Sequence, residues 1–387
     1  MREIVFALAA LRLLAQEPVI TRQGNYWVYT ESANVSVEPH GRLQVEARGH
    51  IVVHGGGGDR VAYTLVQRVP AASESEARQL FGIRDVIARR LGPMTRIDVQ
   101  PNSSPKVANQ LDIKAPRGLA VVVLQAQFVG GVDAYDLDGS VSAQTPSGDI
   151  RMDRIGGGVL ARAASGNLFF GQVGGIEECF TGAGRVTIDN AMRGVKDCRT
   201  GGGELIVKQA GGPVVLENEG GNITVERAAA SVEAHAASGL TRIGEAGGPV
   251  TADSRGGAIQ VGAAQGVKAE SARGPVRLRG ASGAMNVSTV LGSIFAELMA
   301  GARIQDSWLA AGSGDVTVFI PSNFPVSVMV TNEGGGYPQL ATDFPEVRSV
   351  GLPLARTPVV AQGSINGGGP VLHINAGTGV VYLRRIK

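Results

Sequence analysis

Short apolar pairs alternate with glycine-bearing turns along this chain, and from Gly139 onward the phrase recurs at a nearly fixed length. The first apolar anchors fall at Val141, Val159, Ile176, Val195, Val214, Val232, Val250, Val267, Met285 and Ile304, with gaps of 17 to 19 residues. A second series of pairs runs in step with them: Ile150/Met152, Leu168/Phe170, Val186/Ile188, Leu205/Val207, Ile223/Val225, Thr241/Ile243, Ile259/Val261, Val276/Leu278, Ile294/Ala296 and Val316/Val318. Spacing of two puts both members of a pair on one face of a strand. A glycine precedes each pair, as in Ser147-Gly148-Asp149 and Ser165-Gly166-Asn167, where it is expected to supply positive φ at a corner.

A unit of two short strands and two corners cannot bury its own apolar face, whereas stacking one unit on the next does so. The pattern therefore predicts an all-β fold: a parallel, right-handed β-solenoid of about ten rungs of about 18 residues, spanning 131–319. Upstream, Asn25–Tyr29, Gly49–His54, Thr95–Gln100 and Leu119–Leu124 read as strands. Ser73 and Glu76 have capping-box spacing and open a helix expected to run over about 73–91, stopped by Gly92-Pro93. The segment 16–130 is thus expected to cap the first rung, and 320–387 to supply the last rungs and a C-terminal cover.

Composition changes this picture only at its edges. Glycine is in excess, 56 of 387 residues, and aromatics are 5%, so the core is built from Val, Ile, Leu and Ala. A net charge of +2 gives no field to gather nucleic acid. No apolar run reaches the ~18 residues of a membrane span. Residues 1–15 read as a secretory signal, with Arg2 before an apolar stretch from Ile4 to Leu11. The expected location is therefore outside the cytoplasm, in the periplasm or at the cell surface.

Candidate chemistry is sparse. Cys179 and Cys198 each stand three residues after an anchor, so they share a place on consecutive rungs. One strand spacing lies within disulfide reach, and a structural cross-rung bond is expected, two free thiols being the alternative. Alternation would turn both sulfurs outward. The same alternation would turn Glu178 and Asp197 inward, and paired carboxylates are the tool of glycoside hydrolysis. A local outward roll of the strand is the simpler expectation. The outward file of the second strand runs Arg151, Phe169, Thr187, Ile206, Thr224, Arg242, Gln260, Arg277, Phe295 and Thr317. Of these Arg151, Phe169, Arg242, Arg277 and Phe295 are the candidates for binding an extended polymer or a protein strand. The five histidines are scattered, no metal set or cofactor motif is apparent, and no nucleophile elbow occurs.

The Gly49-His50-Ile51-Val52-Val53 stretch, the Pro116-Arg117-Gly118-Leu119 lead-in, the serial Ser147–Ile150 phrases, the Gly314–Pro321 close and Gly367-Gly368-Gly369 together resemble the bacterial putative-adhesin domain family of unknown function. That family is related to the putative auto-transporter adhesin head domains. The resemblance covers about residue 24 to the end and implies an exported β-helical protein with no established enzyme activity. The chain departs from the family in its longer rung series, and in phrases such as Ser238-Gly239-Leu240-Thr241 that lack the aspartate. The expected function is a non-enzymatic binding or scaffold module at the cell envelope, the alternative being a carbohydrate-active enzyme using Glu178 and Asp197.

Overall fold

The computed structural model describes residues 18–81, 86–99, 104, 106–127, 129–334, 339–350 and 359–386. The expected signal segment 1–15 lies outside the described residues. The fold is all-β with mostly parallel strands and, among the described residues, one helix. It divides into two compact units, one to Gly158 and the other from Val159.

In the first unit, Val19–Gln23, Tyr26–Ser36, Arg60–Pro70 and Ala108–Pro116 pair antiparallel in that order. Ala108–Pro116 then pairs in parallel with His50–Gly56, which pairs with Val132–Leu137, followed by the start of Ile150–Ser165. A second parallel run joins Met94–Val99, Arg42–Arg48, Val121–Gln127 and Ser140–Ser147. The helix is Glu74–Phe81, shorter than the spacing predicts. Its Ser73 cap forms as expected: Glu76 N donates to Ser73 Oγ at 3.2 Å, and Ala72 N donates to the Glu76 carboxylate at 2.9 Å. Residues 86–91 are instead a strand, antiparallel to Met94–Val99. Gly92, at φ +60°, opens the two-residue turn between them, and the β-branched Val86-Ile87 pair suits a strand better than a helix. Ala77 and Phe81 bury against Val69 and Val107, with Tyr29 tilted on the Phe81 ring.

In the second unit two parallel ladders run side by side. One starts at Ile176 and continues through Val195–Thr200, Val214–Asn218, Val232–Ala236, Val250–Ser254, the end of Ile259–Ser271, Ala281–Thr289, Ser307–Ala311, Val371–Ala376 and Val326–Asn332. The other starts at Leu168 and continues through Val186–Ala191, Leu205–Ala210, Ile223–Ala228, Thr241–Ala246, Ile259–Val261, Val276–Arg279, Ile294–Glu297, Val316–Pro321 and Val381–Ile386. Equivalent residues align in buried columns, among them Ile176, Val195, Val214, Val232 and Val250, and Phe170, Ile188, Val207, Val225 and Ile243. Each such side chain contributes roughly 1.5–3 kcal/mol by leaving water.

The tenth anchor differs from expectation. Ser307, not Ile304, occupies the column position above Met285, whose N–H donates to Ser307 Oγ at 3.0 Å. Extra residues after Leu298 form a turn with Gly301 at φ +79°, and Ile304 only bridges to Gly283.

The corners show why the chain is so rich in glycine. Gly184, Gly203, Gly221, Gly239, Gly257, Gly274, Gly292, Gly314 and Gly379 form a column. A Cβ on any of them would lie within 2.5 Å of the carbonyl oxygen of the glycine one rung earlier. Close backbone approach, rather than positive φ, fixes most of these residues; Gly239, at φ +83°, needs both. Three residues before each stands a buried Thr, Asn, Ser or Ala, and the polar ones tie the corner. Thr200 Oγ1 donates to Gly184 O at 3.0 Å, Asn218 Nδ2 to Gly203 O at 2.9 Å, and Thr289 Oγ1 to Gly274 O at 3.1 Å. Gly257 N and Gly274 N donate in turn to Ser254 Oγ and Ser271 Oγ. Buried hydroxyls and amides are thereby satisfied, as a dry interior demands.

Thr241 breaks that rule. It sits between Ile223 and Ile259 in an apolar column, and its buried hydroxyl has no partner among the described residues. Thr241→Val, nearly isosteric, is expected to raise stability by about 1 kcal/mol, read as a higher urea midpoint at unchanged slope.

Candidate functional site

Period-two alternation sends every second side chain of a ladder outward, and parallel in-register pairing stacks equivalents ~4.8 Å apart. In the second ladder that outward file runs Phe169, Thr187, Ile206, Thr224, Arg242, Gln260, Arg277, Phe295, Thr317 and Tyr382. Arg277 and Phe295 are adjacent, the guanidinium 4.9 Å from the ring centroid, a cation–π contact. Arg242 stands two strand spacings before Arg277, with Gln260 between. Phe169, 37% exposed, begins the file four spacings from Arg242. Arg151 belongs to the first unit, where it pairs with Asp149 at 3.0 Å and Asp133 at 3.6 Å.

Tyr382 extends the file beyond the predicted positions. Arg384 lies over its ring at 5.2 Å and is held by Asp343 at 3.1 Å. The alternation carries that signal, but the long connection after Pro321 hides the register. Arg242 and Arg277 make no ion pair among the described residues, Arg277 resting on the Phe295 ring alone, which leaves both cations available to a ligand.

The cysteine neighbourhood corrects one expectation, the outward thiols, and agrees with another, the outward roll at Glu178 and Asp197. Cys179 and Cys198 pair in register as a disulfide with Cα atoms 4.5 Å apart, and both point inward, fully buried, rather than outward. They fill the column that Ala161, Leu216 and Ala234 fill in other rungs. Glu178 and Asp197 are partly exposed, not turned inward. Each of these two rungs holds one extra residue between its inward positions, and the register shift between Val195 and Cys198 marks the bulge. Arg162 grips Glu178 with two hydrogen bonds of 2.7 Å, and these bonds hold the carboxyl below its ordinary range. Asp197 is bonded to Arg199 at 2.8 Å.

The histidines occupy separate places. His40 Nδ1 lies 3.0 Å from Gly118 O, His50 Nε2 is 3.1 Å from Asp133, and His54 stacks on Tyr135. His235 sits between Glu233 and Asp253. Partial burial lowers its pKa, but hydrogen bonds to both carboxylates win and raise it above the ordinary histidine value. His373 stacks on Trp308 with ring centroids 5.0 Å apart. Among the described residues, no group of three or more His, Cys, Asp or Glu side chains is placed to hold a metal ion. No helix among them is long and apolar enough to cross a membrane.

No family model matches the chain, and no curated protein matches it. Solved structures give remote likenesses. A putative cell adhesion protein from Clostridium sporogenes is 10% identical with TM-score 0.19, over 92% of this chain and 100% of that one. A putative lipid binding protein from Parabacteroides distasonis is 11% identical with TM-score 0.27, over 75% and 96%. A putative adhesin from Bacteroides fragilis is 11% identical with TM-score 0.23, over 92% and 97%. At such scores the likenesses carry no argument about what this chain binds.

Proposed function

We propose that this protein is an exported, non-enzymatic, right-handed β-solenoid that acts as a binding or scaffold module at the cell envelope. Its two parallel ladders form successive rungs and present repeated side chains to an extended polymer or protein partner. The observation that carries this reading is the outward file of the second ladder. There Arg242 and Arg277, which make no ion pair among the described residues, stand at an interval of about 9.6 Å, with Phe295 and Tyr382 following in line. Cations and ring faces at a regular interval suit a partner with a repeat of its own.

The alternative, a glycoside hydrolase using Glu178 and Asp197, finds no support in their surroundings. A general acid needs a raised pKa, whereas Arg162 lowers that of Glu178.

The test is cosedimentation of the purified chain with washed bacterial envelope particles. The triple variant Arg242→Ala, Arg277→Ala, Phe295→Ala is expected to weaken binding at least tenfold without altering thermal unfolding. Unchanged binding, or polysaccharide cleavage abolished by Glu178→Gln, would overturn the proposal.

A further inference from the structure

The first ladder changes character along its length. Through the strand ending at Ser271 its outward side chains are largely ionic: Glu177, Lys196, Arg199, Glu217, Glu233, Asp253, Lys268 and Glu270. Lys196 pairs with Glu177, Arg199 with Asp197 and Glu217, and Lys268 with Glu270. Beyond that strand the charges stop. One outward file continues as Asn286, Trp308, His373, Met329 and Gln362. The neighbouring file continues as Ser288, Ala310, Asn375, Thr331 and Val360. Five adjacent strands thus carry no Asp, Glu, Lys or Arg in either file, over four strand spacings or about 19 Å. Asp306 and Glu333 mark the rim, and Arg348, in register with Gln362, closes the far end.

On the second of these five strands stands Trp308, 49% exposed, while the chain's other tryptophan, Trp27, is part-buried. Trp308, the stacked His373 ring and the exposed Met329 form one continuous apolar strip with polar residues around it, the kind of surface that marks an interaction site. The Trp308 and His373 rings lie 5° from parallel, so each ring holds the other upright on the sheet. The stack leaves the opposite faces of the two rings turned along the file, toward Asn286 and toward Met329. Exposed neutral donors and acceptors flank them: Asn286, Ser288, Asn375 and Gln362.

We propose that this surface is a binding site for a neutral glycan. A hexose ring offers an axial C–H face that packs on an aromatic plane and equatorial hydroxyls that exchange hydrogen bonds with amides and hydroxyls. It offers no charge, and the two files hold none to meet one. A charged peptide or a uronic acid polymer would find its counter-ions on the preceding strands or on the second ladder instead. The inference goes beyond the proposed envelope-binding role and uses a different ladder, so the two can fail independently.

The experiment titrates the full chain, carrying Trp27→Phe so that Trp308 alone reports, with soluble neutral hexaoses of glucose, mannose and galactose. Oligogalacturonate serves as the acidic comparison. Saturable change in Trp308 fluorescence with at least one neutral hexaose is expected. Trp308→Ala and Asn375→Ala should each weaken that binding at least tenfold by calorimetry, Trp308→Phe should retain most of it, and Arg242→Ala/Arg277→Ala should leave it unchanged. Far-ultraviolet dichroism confirms the fold of each variant, which exposed positions are expected to preserve. Three results would overturn the proposal: no response to any neutral hexaose, tighter binding of oligogalacturonate, or neutral binding indifferent to Trp308→Ala. Loss of envelope cosedimentation in the Arg242/Arg277/Phe295 variant with hexaose binding intact would leave this proposal standing.

Discussion

Gly257→Ala is expected to destabilise the second unit by about 3 kcal/mol, the upper range for forcing an atom into a packed interior. A Cβ there would sit 1.6 Å from Gly239 O, and neither partner is a side chain that could swing away. Ser254 Oγ accepts the Gly257 N–H at 2.8 Å and Ser271 Oγ donates to Gly257 O at 3.2 Å, so the backbone is held from both sides. Gly202→Ala is the matched control, because nothing lies within 4 Å of its hypothetical Cβ. That change should stay within about 0.5 kcal/mol. Urea unfolding of the two variants beside the parent checks both values; equal midpoints would remove the close-approach explanation of the glycine column.

The second large effect concerns the buried staple. Replacing Cys179 and Cys198 together by alanine is expected to cost about 3 kcal/mol, the chain-entropy value for a closed loop of this length. Alanine already occupies the same column at Ala161 and Ala234, so the loss reports the bond rather than a misfit. Parent protein unfolded in reductant should show the double variant's stability, and native parent should yield no titratable thiol. Two thiols titrating in native protein purified from the cell envelope would refute the bond.

How far the sequence carried the structure depended on which regularity was being read. Spacing of two and of about 18 located the inward residues of both ladders, because burial acts on side-chain hydrophobicity directly. The corners were harder. The recurring pattern of Thr, Asn, Ser or Ala three residues before each glycine, as in Thr200-Gly201-Gly202-Gly203, is visible in the letters. Its meaning, a side chain tying two rungs, needs the third dimension. The bulges at Glu177-Glu178 and Lys196-Asp197 reversed the expected direction of the thiols, since one added residue inverts every later position on a strand, and the same bulges supply the outward roll expected of the carboxylates. The two successive anchor gaps of 19 residues, Ile176 to Val195 and Val195 to Val214, were their trace. In the helix, apolar spacing at Ile87 and Leu91 outvoted β-branched Val86-Ile87, and hairpin pairing with Met94–Val99 decided otherwise. Of the candidate binding residues, the adjacency of Arg277 and Phe295 was legible from register. Trp308 and His373 were not, because 65 residues separate two strands that lie side by side.

The glycine column has a consequence for inheritance. Every glycine of that column docks on the carbonyl of its predecessor, so copying one whole period into the gene preserves each of those contacts at both seams. Losing or gaining a single codon within a corner preserves none of them. Lineages carrying this sequence should therefore differ in length by multiples of the period, with small insertions confined to places outside the glycine corners, such as the turn after Leu298 and the bulges beside Cys179 and Cys198, across which the docking continues unbroken.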